Sequence, residues 1–251
     1  MPDVLAVVPA RGGSKGLPRK NIRQLGGHPL LAYAIAAGKQ AHCVSQTICS
    51  TDSQEIQEQA EAYGAEVPFL RPVSLAQDAS PDLPLFLHAL DWFEEHRQWK
   101  PEFVVQLRPT SPIRFSGQVD AAVELLMNNP QATSVRAVCH APCTPYKMWR
   151  PGSEGHEFDR CMEPLLQLPG IAEPFNHPRQ ELPIVWWQTG GLDVIRASTI
   201  LSGSMTGKHI LPLLTDQNYA VDIDGELGFQ VAEALMKNLD CIRPESYQRS
   251  H

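Results

Sequence analysis

The sequence predicts an α/β protein built on a mostly parallel, doubly wound sheet. Three observations carry that expectation. Short apolar, β-branched runs alternate with stretches of helical period. Two of those runs, at 4–9 and 103–107, break into polar, cationic turns. Open α/β sheets gather ligands at the carboxyl ends of their strands, so two such turns imply one cleft. Finally, residues 139–183 lose all periodicity and accumulate prolines, which marks a functional excursion inside a compact domain.

The elements follow in order. Residues 4–9 (VLAVVP) read as a central strand and 29–38 as a helix that Gly38 can end. A second strand covers 44–50, and Thr51-Asp52-Ser53 is an N-cap signal for a helix over 54–63, stopped by Gly64. Residues 66–70 give a short third strand, and the proline-rich 71–84 a loop over the sheet edge. A helix over 85–96 leads to a fourth strand at 103–107 and the turn RPTSP at 108–112. A helix over 116–128, capped by Ser116, precedes a fifth strand at 133–138. After the irregular 139–183, strand character returns at 184–196 around a Gly190-Gly191 break. A short helix at 197–201, strands at 209–213 and 219–221, and an amphipathic helix at 225–239 complete the chain. Crossovers should be right-handed.

Composition narrows the function classes. The chain has 251 residues, 43% hydrophobic and 20% charged, with a net charge of −7. The acidic balance argues against a nucleic-acid surface, and no apolar run reaches the ~20 residues needed to span a bilayer. With no leader-like start, a cytoplasmic location is expected. Six dispersed cysteines imply no disulfide framework. Cys139, His140, Cys143, His156 and Cys161 match no common zinc spacing, and Pro142 and Pro145 interrupt them.

Two stretches carry chemistry. The first, ARGGSKGLPRKN at 10–21, begins a segment with five basic residues between Arg11 and Arg23 and no acidic one. Gly12, Gly13 and Gly16 allow positive φ and a close approach of backbone N–H groups to an anion, and the cations supply charge. Its spacing matches neither a Walker A loop nor a dinucleotide fingerprint. It is either a nucleotide triphosphate cradle or a solvated basic loop that caps a strand. The second is Val221-Asp222-Ile223-Asp224. On a strand, residues two apart share a face, so both carboxylates can reach one magnesium ion. The other reading is a helix N-cap before Gly225-Glu226.

These residues resemble the acylneuraminate cytidylyltransferases, the CMP-sialic acid synthetases and relatives that activate nine-carbon 2-keto sugar acids with CTP. The resemblance runs in register through ARGGSKGLPRKN at 10–21, STDSQEI at 50–56, GAEVPFLRPVSLAQD at 64–78, RPTSP at 108–112, HPRQELP at 177–183 and VDID at 221–224. It implies a single Rossmann-like nucleotidyltransferase domain over 1–251, with a protruding dimerisation and sugar-binding lobe at 139–183, and hence a homodimer. It implies that Ala10, Arg11, Gly12, Gly13, Lys15, Asn21, Arg71 and Ser80 line the nucleotide, with Arg11 and Lys20 catalytic. Arg108, Thr110, Ser111, Lys147, Arg179 and Gln180 would bind the sugar acid, some across the dimer, and Asp222 and Asp224 would hold magnesium.

Two departures from the family pattern bear on the acid. Many relatives have Gln where Arg108 stands, and an Asn-Gly-Ala turn where this chain has Thr189-Gly190-Gly191. After the metal pair the chain reads Gly225-Glu226-Leu227-Gly228, without the third acidic position of many relatives. The alternatives are a cytidylyltransferase for the eight-carbon acid Kdo and a catalytically silent nucleotide-binding paralogue. No general base stands out; His28, His88 and His96 read as surface or helix-packing residues.

Overall fold

A computed structural model describes residues 2–13, 16–77, 79–152 and 161–245. It divides into two compact units, Met1–Val138 with Gln188–His251, and Cys139–Trp187.

The first unit is organised by β1 (Val4–Pro9), whose run of five fully buried residues is what a strand covered on both faces requires. A short hairpin of β2 (Gln24–Leu25) and β3 (His28–Pro29) leads into α1 (Leu30–Gln40) and β4 (Gln46–Ser50). Helices α2 (Gln54–Ala62) and α3 (Asp82–Arg97) precede β5 (Phe103–Gln106). Then come α4 (Gln118–Met127) and β6 (Ser134–His140); β7 (Trp149–Pro151) and β8 (Met162–Pro164) lie in the second unit. The chain closes with β9 (Trp186–Arg196), α5 (Ala197–Leu201), β10 (Ile210–Leu214) and α6 (Glu226–Met236).

The main sheet has the order β10-β6-β9-β5-β1-β4. β1 pairs in parallel with both β4 and β5, and β10 with β6, whereas β9 runs antiparallel to β5. Side chains alternate along β1. Val4, Ala6 and Val8 join the core formed with Leu31 and Ile35 of α1 and Val119 and Val123 of α4. Leu5 and Val7 face Phe86, Ala89 and Phe93 of α3 and Ile200 of α5. Two apolar layers on opposite faces of one sheet are the doubly wound arrangement. A third cluster joins Leu17, Leu25 and Tyr33 to Ile223, Phe229 and Ala232, so α6 packs beneath the basic loop.

Several local expectations change. Residues 66–70 form only isolated parallel bridges, Glu66 to Ile48 of β4 and Leu70 to Thr51 just beyond it, because Pro68 between them has no N–H to donate. Helix α3 starts at Asp82, earlier than 85, with Pro84 in its first turn where a missing N–H costs nothing. The N-cap of α4 is Gly117 at φ 79°, not Ser116. β9 continues through Gly190-Gly191 with Gly190 at φ 71°, so the glycines bend the strand without ending it. Residues 219–221 are not a strand: a 3-10 turn at Gln217–Tyr219 leads into irregular chain. Gly38 does not stop α1, which runs on to Gln40. A Cβ at Gly38 would lie 2.7 Å from Thr47 Oγ1, so glycine is needed there for helix and strand to touch.

The second unit, by itself, contains the β7–β8 antiparallel hairpin and 3-10 turns at Pro145–Lys147, Pro174–Asn176 and Arg179–Glu181. The Trp149 and Phe175 rings pack at a tilt of 53° with centroids 4.6 Å apart. Met162, Ile184 and Trp186 expose much of their apolar surface.

Replacing Gly38 by Ala should lower stability by about 1 kcal/mol or more, although Ala has the better helix propensity, because overpacking costs ~1–3 kcal/mol. Urea denaturation measures the sign; a stabilised variant would contradict the packing role.

Candidate active site

The carboxyl ends of β1 and β5 open into a cleft of about 260 Å³. Arg11, Gly13, Lys20 and Asn21 reach it from the loop after β1, Arg108 and Thr110 from the turn after β5, and Arg71 and Ser80 from the segment before α3. Residues distant in sequence thus converge because parallel strands deliver their following loops to one edge.

Glycine serves the loop by close approach. None of Gly12, Gly13 and Gly16 has a positive φ. A Cβ on Gly16 would lie 2.6 Å from the Asp224 carbonyl, and one on Gly12 3.1 Å from Ser53 Cβ, whereas Gly13 has open space. The Gly12 N–H donates to Asp52 Oδ1 at 2.8 Å. Asn21, buried at the cleft edge, donates from Nδ2 to the Arg11 carbonyl at 2.9 Å. Lys15 lies outside the described residues, as does His156 of the cysteine–histidine group. Ala10 is fully buried beneath the loop.

Three of the loop's cations are tied to carboxylates. Arg19 pairs with Glu55. Lys20 Nζ donates to the Ile223 carbonyl at 2.9 Å and stands 3.3 Å from Asp224 Oδ1. Arg23 makes two 2.8 Å bonds to Glu226 and lies over the Phe229 ring at 4.4 Å. Thus Glu226, in the stretch that departs from the family pattern, clamps the loop.

Asp222 and Asp224 project from an irregular segment, bent at Asp224, in which Val221 and Ile223 are buried and the two aspartates exposed. The expected alternation holds without a strand, because the Ile223 N–H donates to the Thr110 carbonyl at 2.8 Å in place of a ladder. Although Asp222 is accessible, crowding around its carboxyl raises its pKa. A hydrogen bond from Thr110 opposes that rise, Asp224 adds to it, and Lys20 and Arg108 oppose it.

Arg71 is a buried cation. Its Nη2 donates to the Ser50 carbonyl at 3.2 Å, its Nε has no partner among the described residues, and burial lowers its pKa. Arg108 Nη2 lies 2.5 Å from Asp82 Oδ2, which also accepts from Gln106 Nε2 at 2.8 Å. Ser111 is buried away from the cleft lining and its Oγ donates to the Thr189 carbonyl at 3.2 Å.

Lys147, Arg179 and Gln180 belong to the second unit. Lys147 is exposed on a 3-10 turn. Arg179 and Gln180 line a cavity of about 340 Å³ within that unit, and Arg179 donates to the carbonyls of Ala141 and Pro142. Sequence reasoning missed Asp82 and Arg114. Asp82 had a signal, an acidic residue after Pro81 at a helix start. Arg114 had none, since nothing in TSPIRF marks its arginine as fully buried.

A family model described as cytidylyltransferase matches residues 5–146. The chain is 32% identical to the CMP-N,N'-diacetyllegionaminic acid synthase of Legionella pneumophila, covering 93% of this chain and 96% of that protein. It is 29% identical to the post-translational flagellin modification protein B of Campylobacter coli, over 94% and 96% respectively. Among solved structures, a CMP:2-keto-3-deoxy-manno-octonic acid synthetase complexed with CTP superposes with a TM-score of 0.65 at 13% identity, covering 94% of this chain and 98% of that one.

Gly16→Ala should cost about 1–3 kcal/mol by forcing the loop off Asp224. Gly13→Ala should change stability by under about 0.5 kcal/mol. Denaturant unfolding of both compares them, and equal effects would refute the close-approach role of Gly16.

Proposed function

The chain belongs to the cytidylyltransferase family, and from that premise we propose that it activates a nonulosonic acid with CTP, forming the CMP-sugar and pyrophosphate. The observation that carries this reading is the convergence of Arg11, Lys20, Asn21, Arg71 and Arg108 on one cleft, with Lys20 bonded to the segment that bears Asp222 and Asp224. It is a nucleotidyltransferase by family.

In the reaction, the anomeric oxygen of the acid bonds to the α-phosphorus of CTP. The bond from that phosphorus to the pyrophosphate oxygen breaks, and the hydroxyl proton is lost. Such transfers depend mainly on positioning and charge neutralisation. Arg11 and Lys15 would meet the triphosphate, and Lys20 would stabilise the phosphorus centre. Asn21, Arg71 and Ser80 would line the nucleoside, with Ala10, Gly12 and Gly13 giving the backbone close approach. The unpartnered Nε of buried Arg71 supports an acceptor group there, since an unsatisfied buried donor is costly. Arg108 and Thr110 would face the acid, with Ser111 behind them. Lys147, Arg179 and Gln180, which belong to the second unit, are further candidates for contacts to the acid.

Asp222 and Asp224 fit magnesium by chemistry. They are hard oxygen donors on the exposed side of that segment, and the crowded Asp222 carboxyl gains from a nearby cation. Among the described residues there is no group of three metal-ligating side chains, which agrees with a metal that also needs substrate phosphates and water. When bound, magnesium supplies charge neutralisation to the triphosphate.

The reading favours a nonulosonic acid over Kdo because near-full-length relatives carry legionaminic acid names, whereas likeness to the Kdo synthetase at 13% identity concerns the fold. Presence of Arg11, Lys20, Asp222 and Asp224 together opposes a silent paralogue. No helix among the described residues is long and apolar enough to cross a membrane, and dependence on CTP fits a cytoplasmic enzyme. We further propose that the second unit is the dimerisation and sugar-binding lobe, with exposed Met162, Ile184 and Trp186 on the homodimer face.

Incubation with CTP, magnesium and a panel of sialic, legionaminic and pseudaminic acids should release pyrophosphate and CMP-sugar with at least one acid; CTP binding without product from any would sink the enzyme reading. Asp224→Asn should cut magnesium-dependent turnover about 100-fold or more, as expected for one charged transition-state contact worth ~3 kcal/mol. Unchanged turnover would remove Asp224 from the metal site. Light scattering is expected to give twice the mass of one chain, and the mass of a single chain would exclude the homodimer.

A further inference from the structure

Arg114 is 1% exposed. Its Nε and Nη2 donate to the Gly191 carbonyl at 2.9 and 2.6 Å, and Nη2 also donates to the Arg108 carbonyl at 2.8 Å. Its Nη1 is buried and has no partner among the described residues. Burial pushes the guanidinium pKa down to about 9, and among the described residues no carboxylate opposes the fall. A buried cation without a counter-charge is expensive, and an apolar side chain of similar size would avoid the cost. What only the planar fork supplies is simultaneous hold on two carbonyls from separate segments.

Those segments are the turn that carries Arg108 and the bend of β9 at Thr189-Gly190-Gly191. They touch at other points too. Ser111 Oγ donates to the Thr189 carbonyl at 3.2 Å, and a Cβ on Gly190 would lie 3.3 Å from Ser111 Oγ. Thr189 Oγ1 donates to the Ala137 carbonyl of β6, anchoring the bend to the sheet. The Arg108 side chain is held at its far end by Asp82, itself bonded to buried Gln106. Arg108 is therefore fixed at its carbonyl by Arg114 and at its guanidinium by Asp82.

We propose that Arg114 is a positioning residue for acceptor recognition: it pins the Arg108 turn to the Gly190-Gly191 bend and so sets where the Arg108 guanidinium meets the acid. This rests on the reading that Arg108 contacts the sugar acid. Arg11 is held through Asn21 and Arg71 through Ser50, neither of which bonds this turn, and Lys20 is held by the Ile223 carbonyl, whose residue meets the turn through one backbone hydrogen bond, Ile223 N–H to the Thr110 carbonyl. Loss of Arg114 should therefore act on the acid and spare the nucleotide.

The test uses the full-length protein and the nonulosonic acid that gives most product in the panel above. Arg114→Gln, Arg114→Lys, Asp82→Asn and the Arg114→Gln/Asp82→Asn double variant are compared by KM for each substrate, and by calorimetric CTP affinity. Arg114→Gln should raise the acid KM about tenfold or more and leave the KM and Kd for CTP within about twofold, with Arg114→Lys recovering part of the loss. The double variant should lose less than the product of its single effects, because both act through Arg108. If Arg114→Gln does not fold, the acid-to-CTP split in Arg114→Lys decides the matter. Equal movement of both KM values, an unchanged acid KM in a folded variant, or multiplicative losses would overturn the proposal. Arg108→Ala separates the two readings: an unchanged acid KM there refutes the acid contact itself, whatever Arg114 does.

Discussion

The constraint on which the site depends is the junction between the loop after β1 and the segment before α6. Gly16 can approach the Asp224 carbonyl only because it lacks a side chain, Lys20 bonds the Ile223 carbonyl, and Arg23 grips Glu226 bidentately. Leu17 and Ile223 meet in the apolar cluster beneath. Roughly 200 residues separate the two stretches in sequence, with partners such as Lys20 and Ile223 at |i−j| of 203. Exposed ion pairs such as Arg23–Glu226 are worth only ~0–1 kcal/mol each. The apolar cluster and the glycine contact therefore supply the rigidity, and the charges set orientation.

That junction explains the local reversal of charge in an acidic chain. Part of the basic loop's charge is balanced by Glu55, Asp224 and Glu226, which hold the loop in one shape. Arg11, Arg71 and Arg108 also line the cleft, and among its described lining residues Asp82 is the acidic one, paired with Arg108. An excess of fixed cations in a partly desolvated cleft is preorganised for a polyanion and needs little rearrangement when charge develops on phosphorus.

Much of this was legible in sequence. β1 is an uninterrupted apolar run, the helices carry their period, and the two cationic turns announce the cleft. What sequence could not give was of three kinds. Pairing depends on distant partners, so irregular chain at 221–224 reads as a strand when its alternation is instead satisfied by one bond to Thr110. Burial of a polar group is likewise invisible: Arg114 looks like an ordinary surface residue until tertiary structure sets carbonyls beside it. Gly38 and Gly16 show a third difficulty, since a glycine kept for close approach is indistinguishable in sequence from one kept for a turn.

The account's central claim is that one cleft joins the anomeric oxygen of a nonulosonic acid to the α-phosphorus of CTP. The most direct measurement follows a heavy-oxygen label placed in the anomeric hydroxyl, using phosphorus NMR of the products. The account predicts that the label is retained as the bridging oxygen of the CMP-sugar and that the released pyrophosphate carries none. Label in the pyrophosphate, or its loss to water with no labelled CMP-sugar formed, would contradict it.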